Sequence, residues 1–432
     1  MKKNSVFNLS GISIIACDCL QAIITIFVDL FFISRILNVD ADGNFDSLNI
    51  IKIATFYLVL YTVLAVSYAF SGHLLKKINK SIFVSIGAVL LTVVVIIIYL
   101  LSNTAFDFGY IVLIGIVYGI AWGFFSSGYN GLASETISSK HQVKFFAVKK
   151  IMFQVTYIIF PISMGLIIDI DFSMMALIML AVCALLITFS FLIRPKKVYK
   201  LSFNLKKFGS YIRKNSEETK PLWLVYISTF FRGASYDSFT TLITIIVMMT
   251  FRTNTDLGMY QSIFTACSLL TMAFYLKFYR KKRASAFIIT SVVLVGCTIL
   301  GILMSSSSVA VICFYAVYAT LNVILMSVSD SRRAGVVRVL SLHSHILESN
   351  AITEFFLGAG RITSTLFLML AGIFDGVLGD GSTLFLKIAL TLVCGMYVMY
   401  GLSLVWLEKS LIKQDEKFRK EHAQEAIEKT ED

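Results

Sequence analysis

Long apolar runs alternate with short polar connections along this chain. A helix of about 20 residues crosses the roughly 30 Å hydrocarbon core of a bilayer. Twelve stretches are apolar over such a length: 12–37, 51–72, 82–102, 109–134, 145–169 and 173–193, then 222–250, 257–277, 285–304, 308–329, 350–374 and 383–407. Between the two sets lies the longest polar interruption, 194–221, with nine Lys or Arg and two of the three prolines, Pro195 and Pro221. Proline has no N–H and disfavours helix in the preceding residue, so these two punctuate helix boundaries. The pattern predicts an all-α integral membrane protein with twelve transmembrane helices. Its expected parts are an N-terminal six-helix half (1–193), a cytoplasmic linker (194–221), a C-terminal six-helix half (222–408) and a cytoplasmic tail (409–432).

Composition agrees with this division. The chain of 432 residues is 57% hydrophobic and 15% charged, against about 25% charged in a soluble domain. The charges orient it. With the N-terminus inside, 32 of the 38 Lys and Arg fall on inner connections, the linker and the tail. The outer connections carry Asp40, Asp42, Asp46, Asp169, Asp171, Asp256, Asp375 and Asp380. That bias predicts two cytoplasmic termini in the cell membrane. It assigns the net charge of +12 to topology and to an anionic inner leaflet, with no role in binding nucleic acid. In the linker, Leu201, Leu205, Phe208 and Ile212 recur at helical spacing among Lys206, Lys207 and Arg213. This is the pattern of an amphipathic helix lying on the inner leaflet, with a solvated loop as the alternative. The start resembles a lipoprotein signal ending at Cys17, but the apolar run continues to Leu37. That exceeds the roughly 7–15 residues of a signal region, so it reads as the first transmembrane helix. The seven cysteines all lie in apolar runs without CxxC spacing, so no zinc site or disulfide framework is expected.

An ionised side chain at the centre of a bilayer helix costs about 2.5–3.5 kcal/mol on insertion scales. Embedded charges therefore face partners, water or solute. They are Asp18 and Asp29 in the first run, Arg232 and Asp237 in the seventh, and Glu354 and Arg361 in the eleventh. Each reads either as a substrate or proton-coupling group or as half of a structural ion pair, Arg232 with Asp237 for instance. Glu354 and Arg361 share one helix face but stand roughly 10 Å apart along the axis, so each is expected to find its own partner. In the fourth run Gly119, Gly123 and Gly128 form a small-residue packing face. Trp122, Tyr129 and Asn130 are candidate cavity contacts beside it, with packing as the default, and Glu135 at its end is a candidate structural ion pair or cytoplasmic gate contact.

The two halves also echo each other. Leu74-Leu75-Lys76-Lys77 before Ser81-Ile82-Phe83 aligns with Phe278-Tyr279-Arg280-Lys281 before Ser285-Ala286-Phe287. Ser134-Glu135 matches Ser329-Asp330, and Gly165 with Asp169 matches Gly372 with Asp375. An internal repeat is how many transporters build a central site. Twelve spans in two related halves with a basic central linker resemble the major facilitator superfamily over the whole chain. The family's signature between the second and third spans, Gly-x-Leu-x-Asp-Arg-x-Gly-Arg-Lys, is met by Gly72, Leu74, Lys77 and Lys80, while Lys76 and Asn79 replace the acid and the second glycine. The segment Ile159-Phe160-Pro161-Ile162-Ser163-Met164-Gly165 resembles the family's Gly-Pro-rich exporter motif without the glycine before Pro161.

The resemblance implies a secondary transporter working by alternating access, with export favoured over import. Its cavity would be lined by the first, fourth, seventh and tenth spans, so that Asp18 and Asp237 face solute or exchange protons. Gly72, Lys77, Lys80, Glu135, Pro161 and Gly165 would be gate or conformational residues. Proton antiport through a basic residue in the fourth span is not expected, because Gly115-Ile116-Val117-Tyr118-Gly119 has none. The expected partners are a small amphipathic or hydrophobic solute, lipid-like ones included, and a coupling proton, with no cofactor or metal and a monomeric chain. Two rival classes stand beside this reading. A multipass membrane enzyme needs a catalytic constellation, but all five histidines lie in connections or the tail, and there is no Gly-rich phosphate loop with Lys-Ser/Thr. His343 and His345 near Glu348 could hold a metal, or simply form an inner-surface loop. A non-transporting signalling or assembly protein would place its function in the linker or tail.

Overall fold

The computed structural model describes residues 9–39, 46–75, 78–104, 106–136, 139–194, 204–215, 217, 219–278, 284–305, 307–340, 345–378 and 384–431. Among the described residues the regular elements are all helical, and twelve helices are long and apolar enough to cross a membrane. In order, the first six spans are Leu9–Leu37, Ser47–Leu74, Lys80–Leu100, Phe108–Thr136, Ser139–Ile170 and Phe172–Leu192. A short linker helix, Leu205–Lys214, follows. The last six are Lys220–Phe251, Asn254–Phe278, Ala284–Met304, Ser308–Val339, Ile346–Leu378 and Leu384–Glu431. Successive spans reverse direction, so one end of the bundle holds the start of the first span and the end of the last (the terminal end) and the other does not (the far end).

The helices match the apolar runs but overshoot several of them at the terminal end. The fifth begins at Ser139, the tenth continues to Val339, and the twelfth reaches Glu431. Once nucleated, a helix adds one hydrogen bond per residue fixed, so a polar flank prolongs it beyond the stretch that hydropathy marks. At the far end two aspartates work as caps. Asp46 accepts from Leu48 N at 2.9 Å and Asp171 from Ser173 N at 2.8 Å, each filling an orphan donor of a first turn.

Helices in lipid gain little from the hydrophobic effect and associate through close approach and hydrogen bonds. The fourth span supplies the clearest case, packing against the second and third. A Cβ on Gly119 would meet the Leu60 carbonyl oxygen at 2.8 Å, one on Gly123 the Ser67 Cβ at 2.7 Å, and one on Gly128 the Phe83 Cβ at 2.8 Å. Across the halves the second span packs on the eleventh and the fifth on the eighth. Gly358 lies against Ala65, and Gly372 against Ile50 and Ile51. Apolar side chains such as Val89, Leu185 and Leu294 are exposed on the outside, as a lipid-facing surface requires.

The linker helix departs from expectation. Asn204 caps it by accepting from Lys207 N at 3.0 Å. Phe208 and Ile212 do not lie open for a leaflet. They are buried against Leu222, Val225, Tyr226, Val336, Leu407 and Leu411 at the terminal end of the second half, while Leu205 is exposed. The seventh, tenth and twelfth helices present an apolar surface at this end, and the linker's stripe covers it. Leu201 lies outside the described residues.

Candidate functional site

The first embedded acid meets a base that hydropathy had placed outside the bundle. Asp18, on the first span, is buried, and Lys149 Nζ of the fifth lies 3.6 Å from its Oδ1. The same ammonium stands 4.5 Å from the centre of the Tyr129 ring on the fourth span, whose hydroxyl donates to the Ile14 carbonyl of the first span at 3.5 Å. Three helices thus close round one ion pair. Lys149 lies near the start of the fifth apolar run, on a face that packing turns to the first span. Its partner was the missing signal in the sequence. The cation meets both a carboxylate and the negative face of a ring, each of which offsets its desolvation.

Farther along the first span the backbone widens into a π-helical turn, Phe27–Phe32, with Asp29 inside it. Such single-turn bulges free a carbonyl from the usual ladder and often mark functional positions. The Tyr57 hydroxyl donates to the Asp29 carbonyl oxygen at 3.4 Å. Asp29 is also near enough to Tyr118 of the fourth span and Tyr157 of the fifth to act on them electrostatically. Tyr236 of the seventh span is near enough to act electrostatically on Tyr157 and on Tyr315 of the tenth. Tyr315 donates to Gln261 of the eighth. Phenols of the two halves therefore lie within electrostatic range of one another. Sequence reading passed over these tyrosines because an aromatic in an apolar run is ordinarily packing.

In the second half Arg232 Nη1 lies 3.0 Å from Asp330 Oδ1 on the tenth span. The Asp237 side chain, the other partner expected for Arg232, lies outside the described ones. Arg361 of the eleventh span reaches across to the first half, with its guanidinium carbon 5.1 Å from the Tyr61 ring centre and 5.6 Å from that of Trp122. Glu354 is half-buried, with no ion-pair partner among the described residues. The two therefore go separate ways, as their spacing requires.

The conformational candidates divide likewise. Lys80 is buried at the start of the third span, with its carbonyl against Gly128. Pro161 and Gly165 face the eighth span. A Cβ on Gly165 would overlap the Asn254 carbonyl, and one on Gly258 the Pro161 carbonyl. Lys77 and the side-chain surroundings of Gly72, Asn130 and Glu135 lie outside the described set. His345 stacks near Phe208 and Tyr211, with Nδ1 4.0 Å from Glu348 Oε1. Glu348 itself accepts from Asn204 N at 2.8 Å, tying the linker to the eleventh helix. His343 falls outside the described residues. Among the described residues no group of three or more metal-ligating side chains is assembled.

Comparison with known proteins places this architecture. The chain is 24% identical over 328 residues to "Uncharacterized protein YqgE" of Bacillus subtilis (strain 168), covering 74% of each chain. Among solved structures it resembles the nucleoside transporter NupG, with a TM-score of 0.63 and 16% identity, covering 93% of this chain and 99% of that one. It also resembles a proton-dependent oligopeptide transporter, with a TM-score of 0.66 and 12% identity over 94% and 99% of the two chains. A bacterial homologue of the iron transporter ferroportin, in its inward-facing state, gives a TM-score of 0.62 at 13% identity over 94% and 97%. At these identities the structures share the fold. The Major Facilitator Superfamily profile matches residues 10–344, and with twelve membrane-length helices in its order the chain belongs to that family, a membrane transporter family.

Proposed function

We propose that the protein carries a small amphipathic solute across the cytoplasmic membrane by alternating access, each six-helix half moving as a unit, and that it exports that solute. One observation carries the reading. Arg361 of the second half stands over Tyr61 and Trp122 of the first, and tyrosines of both halves lie within electrostatic range of one another inside the bundle, where apolar side chains would cost less to bury. Tyr157, Tyr236 and Tyr315 offer ring faces for an apolar body and hydroxyls for a polar head. Asp18 with Lys149 and Asp29 in its π-turn are the proton-coupling candidates, because an acid in a tight ion pair changes its contacts when it takes a proton. Arg232 and Arg361 are positioning groups on the opposite half. The exporter-like stretch around Pro161 favours outward movement, and the charge bias favours cytoplasmic termini. A monomer suffices, since both halves are in one chain.

The test begins with untargeted metabolite comparison of cells with and without the gene. Solutes that accumulate inside when the gene is absent are then offered to proteoliposomes containing the purified protein. Movement that collapses with a dissipated proton gradient is expected. Depletion inside cells lacking the gene would reverse the direction, and no solute moved in either assay would overturn the transporter reading.

A further inference from the structure

The far end of the bundle holds a contact of a different kind. Asp169, in the last turn of the fifth span, places its carboxylate at the N-terminus of the eighth span, which belongs to the other half. Oδ1 accepts from Asn254 N at 3.0 Å and from Asn254 Nδ2 at 2.9 Å. Oδ2 accepts from Thr255 N at 2.8 Å and from the Thr255 hydroxyl at 2.6 Å. Ser34 of the first span adds a bond from its hydroxyl to Asn254 Oδ1 at 2.6 Å.

The first N–H groups of a helix lack intrahelical acceptors, and together they carry a partial positive charge. A carboxylate there fills the orphan donors and meets the dipole, and charge-assisted bonds are roughly twice as strong as neutral ones. The second and sixth spans obtain this from their own preceding residues, Asp46 and Asp171. The eighth does not. Its preceding residue, Thr253, exchanges bonds with Asp256 instead, and Arg252, at φ 66° in the left-handed region, turns the chain sharply into it. Its carboxylate cap is supplied from across the bundle. Beneath it the backbones run too close for a Cβ at Gly165 or Gly258, so the carboxylate is held against the helix end by packing on the adjoining turns.

We propose that Asp169 is the latch of a far-end gate, and that the balance between the far-end-closed and far-end-open states depends on its seat at the eighth span's N-terminus. This rests on the alternating-access reading above. Parting the halves at the far end strips the carboxylate of four donors at once and leaves the Asn254 and Thr255 N–H groups without their acceptor, with only the Thr253–Asp256 exchange still capping the helix. The four bonds to Asp169 and the Ser34–Asn254 bond concentrate cross-half hydrogen bonding at this end.

The test is a distance measurement between spin labels in the full chain in nanodiscs. The native cysteines are replaced, and single cysteines are placed by Asp107→Cys in the first half and Val309→Cys in the second, both exposed at the far end. Asp169→Ala, and Asp169→Asn should alanine fail to fold, should raise the population of the longer distance about tenfold, equivalent to about 1.4 kcal/mol at 25 °C. Asn254→Ala with Thr255→Val should move it in the same direction but less, since both backbone donors remain. A cap serving stability alone would lower the unfolding temperature of Asp169→Asn and leave the distances as they were, and that result overturns the proposal. The measurement needs no solute. A shift in a protein that moves nothing would sink the transporter reading and keep the latch, whereas unchanged distances in an active transporter would sink the latch alone.

Discussion

Replacing Glu408 with alanine should destabilise the second half severely. Glu408 ends the apolar part of the twelfth helix with its side chain 2% exposed, and Arg332 Nη2 of the tenth lies 2.7 Å from its Oε1. Ser285, at the start of the ninth span, donates to Oε2 at 2.8 Å. Three helices therefore share one carboxylate. Truncating it leaves a guanidinium whose side chain is only 12% exposed without its counter-charge. Breaking one side of a buried ion pair costs about 3–5 kcal/mol, most of it the desolvation of the orphaned charge. At roughly 2–4 °C per kcal/mol for a unit of about 150–250 residues, a loss of about 3 kcal/mol lowers the midpoint by roughly 6–12 °C. Thermal unfolding in detergent reports it, followed by the fluorescence of Trp223 and Trp406, which stand on the seventh and twelfth helices. The double change Arg332→Leu with Glu408→Leu should be milder than Glu408→Ala alone, because it removes both charges. A single variant within about 1 kcal/mol of the parent, or a double variant as costly as the two single leucine changes added together, would refute the reasoning.

Two other substitutions test the packing. Phe208→Ala removes a fully buried ring from beneath the second half and should cost about 3–5 kcal/mol in the same assay, while a linker helix resting on lipid would lose almost nothing. Gly119→Val forces a Cβ within 2.9 Å of the Val63 Cβ and should cost at least the roughly 1–3 kcal/mol typical of overpacking. Gly109→Val on the same helix, where a Cβ meets nothing within 4 Å, serves as control, and equal effects at the two sites would contradict the close crossing of the second and fourth spans.

The number of spans, the all-helical class and the glycine face of the fourth helix were all legible in the sequence. Each is a property of one helix in one solvent. Twenty consecutive apolar residues must satisfy their own backbone in lipid, and a row of small residues marks where a neighbour comes close, whichever neighbour that is. Partners were another matter. Asp18 was visible as an embedded acid, but Lys149 looked like one of several inner lysines until the packing of the fifth helix on the first turned it inward. Arg232 finds its carboxylate 98 residues away, and Asp169 caps a helix that begins 85 residues later. The linker's apolar stripe was legible as a stripe. Whether it met lipid or protein depended on which faces of the seventh, tenth and twelfth helices lie beside it. Hydropathy and spacing are one-dimensional and specify which face of a helix is apolar, charged or small. Which faces meet is decided by the packing of all twelve helices together, because a charge at bilayer depth takes whichever partner that packing brings within a few ångströms.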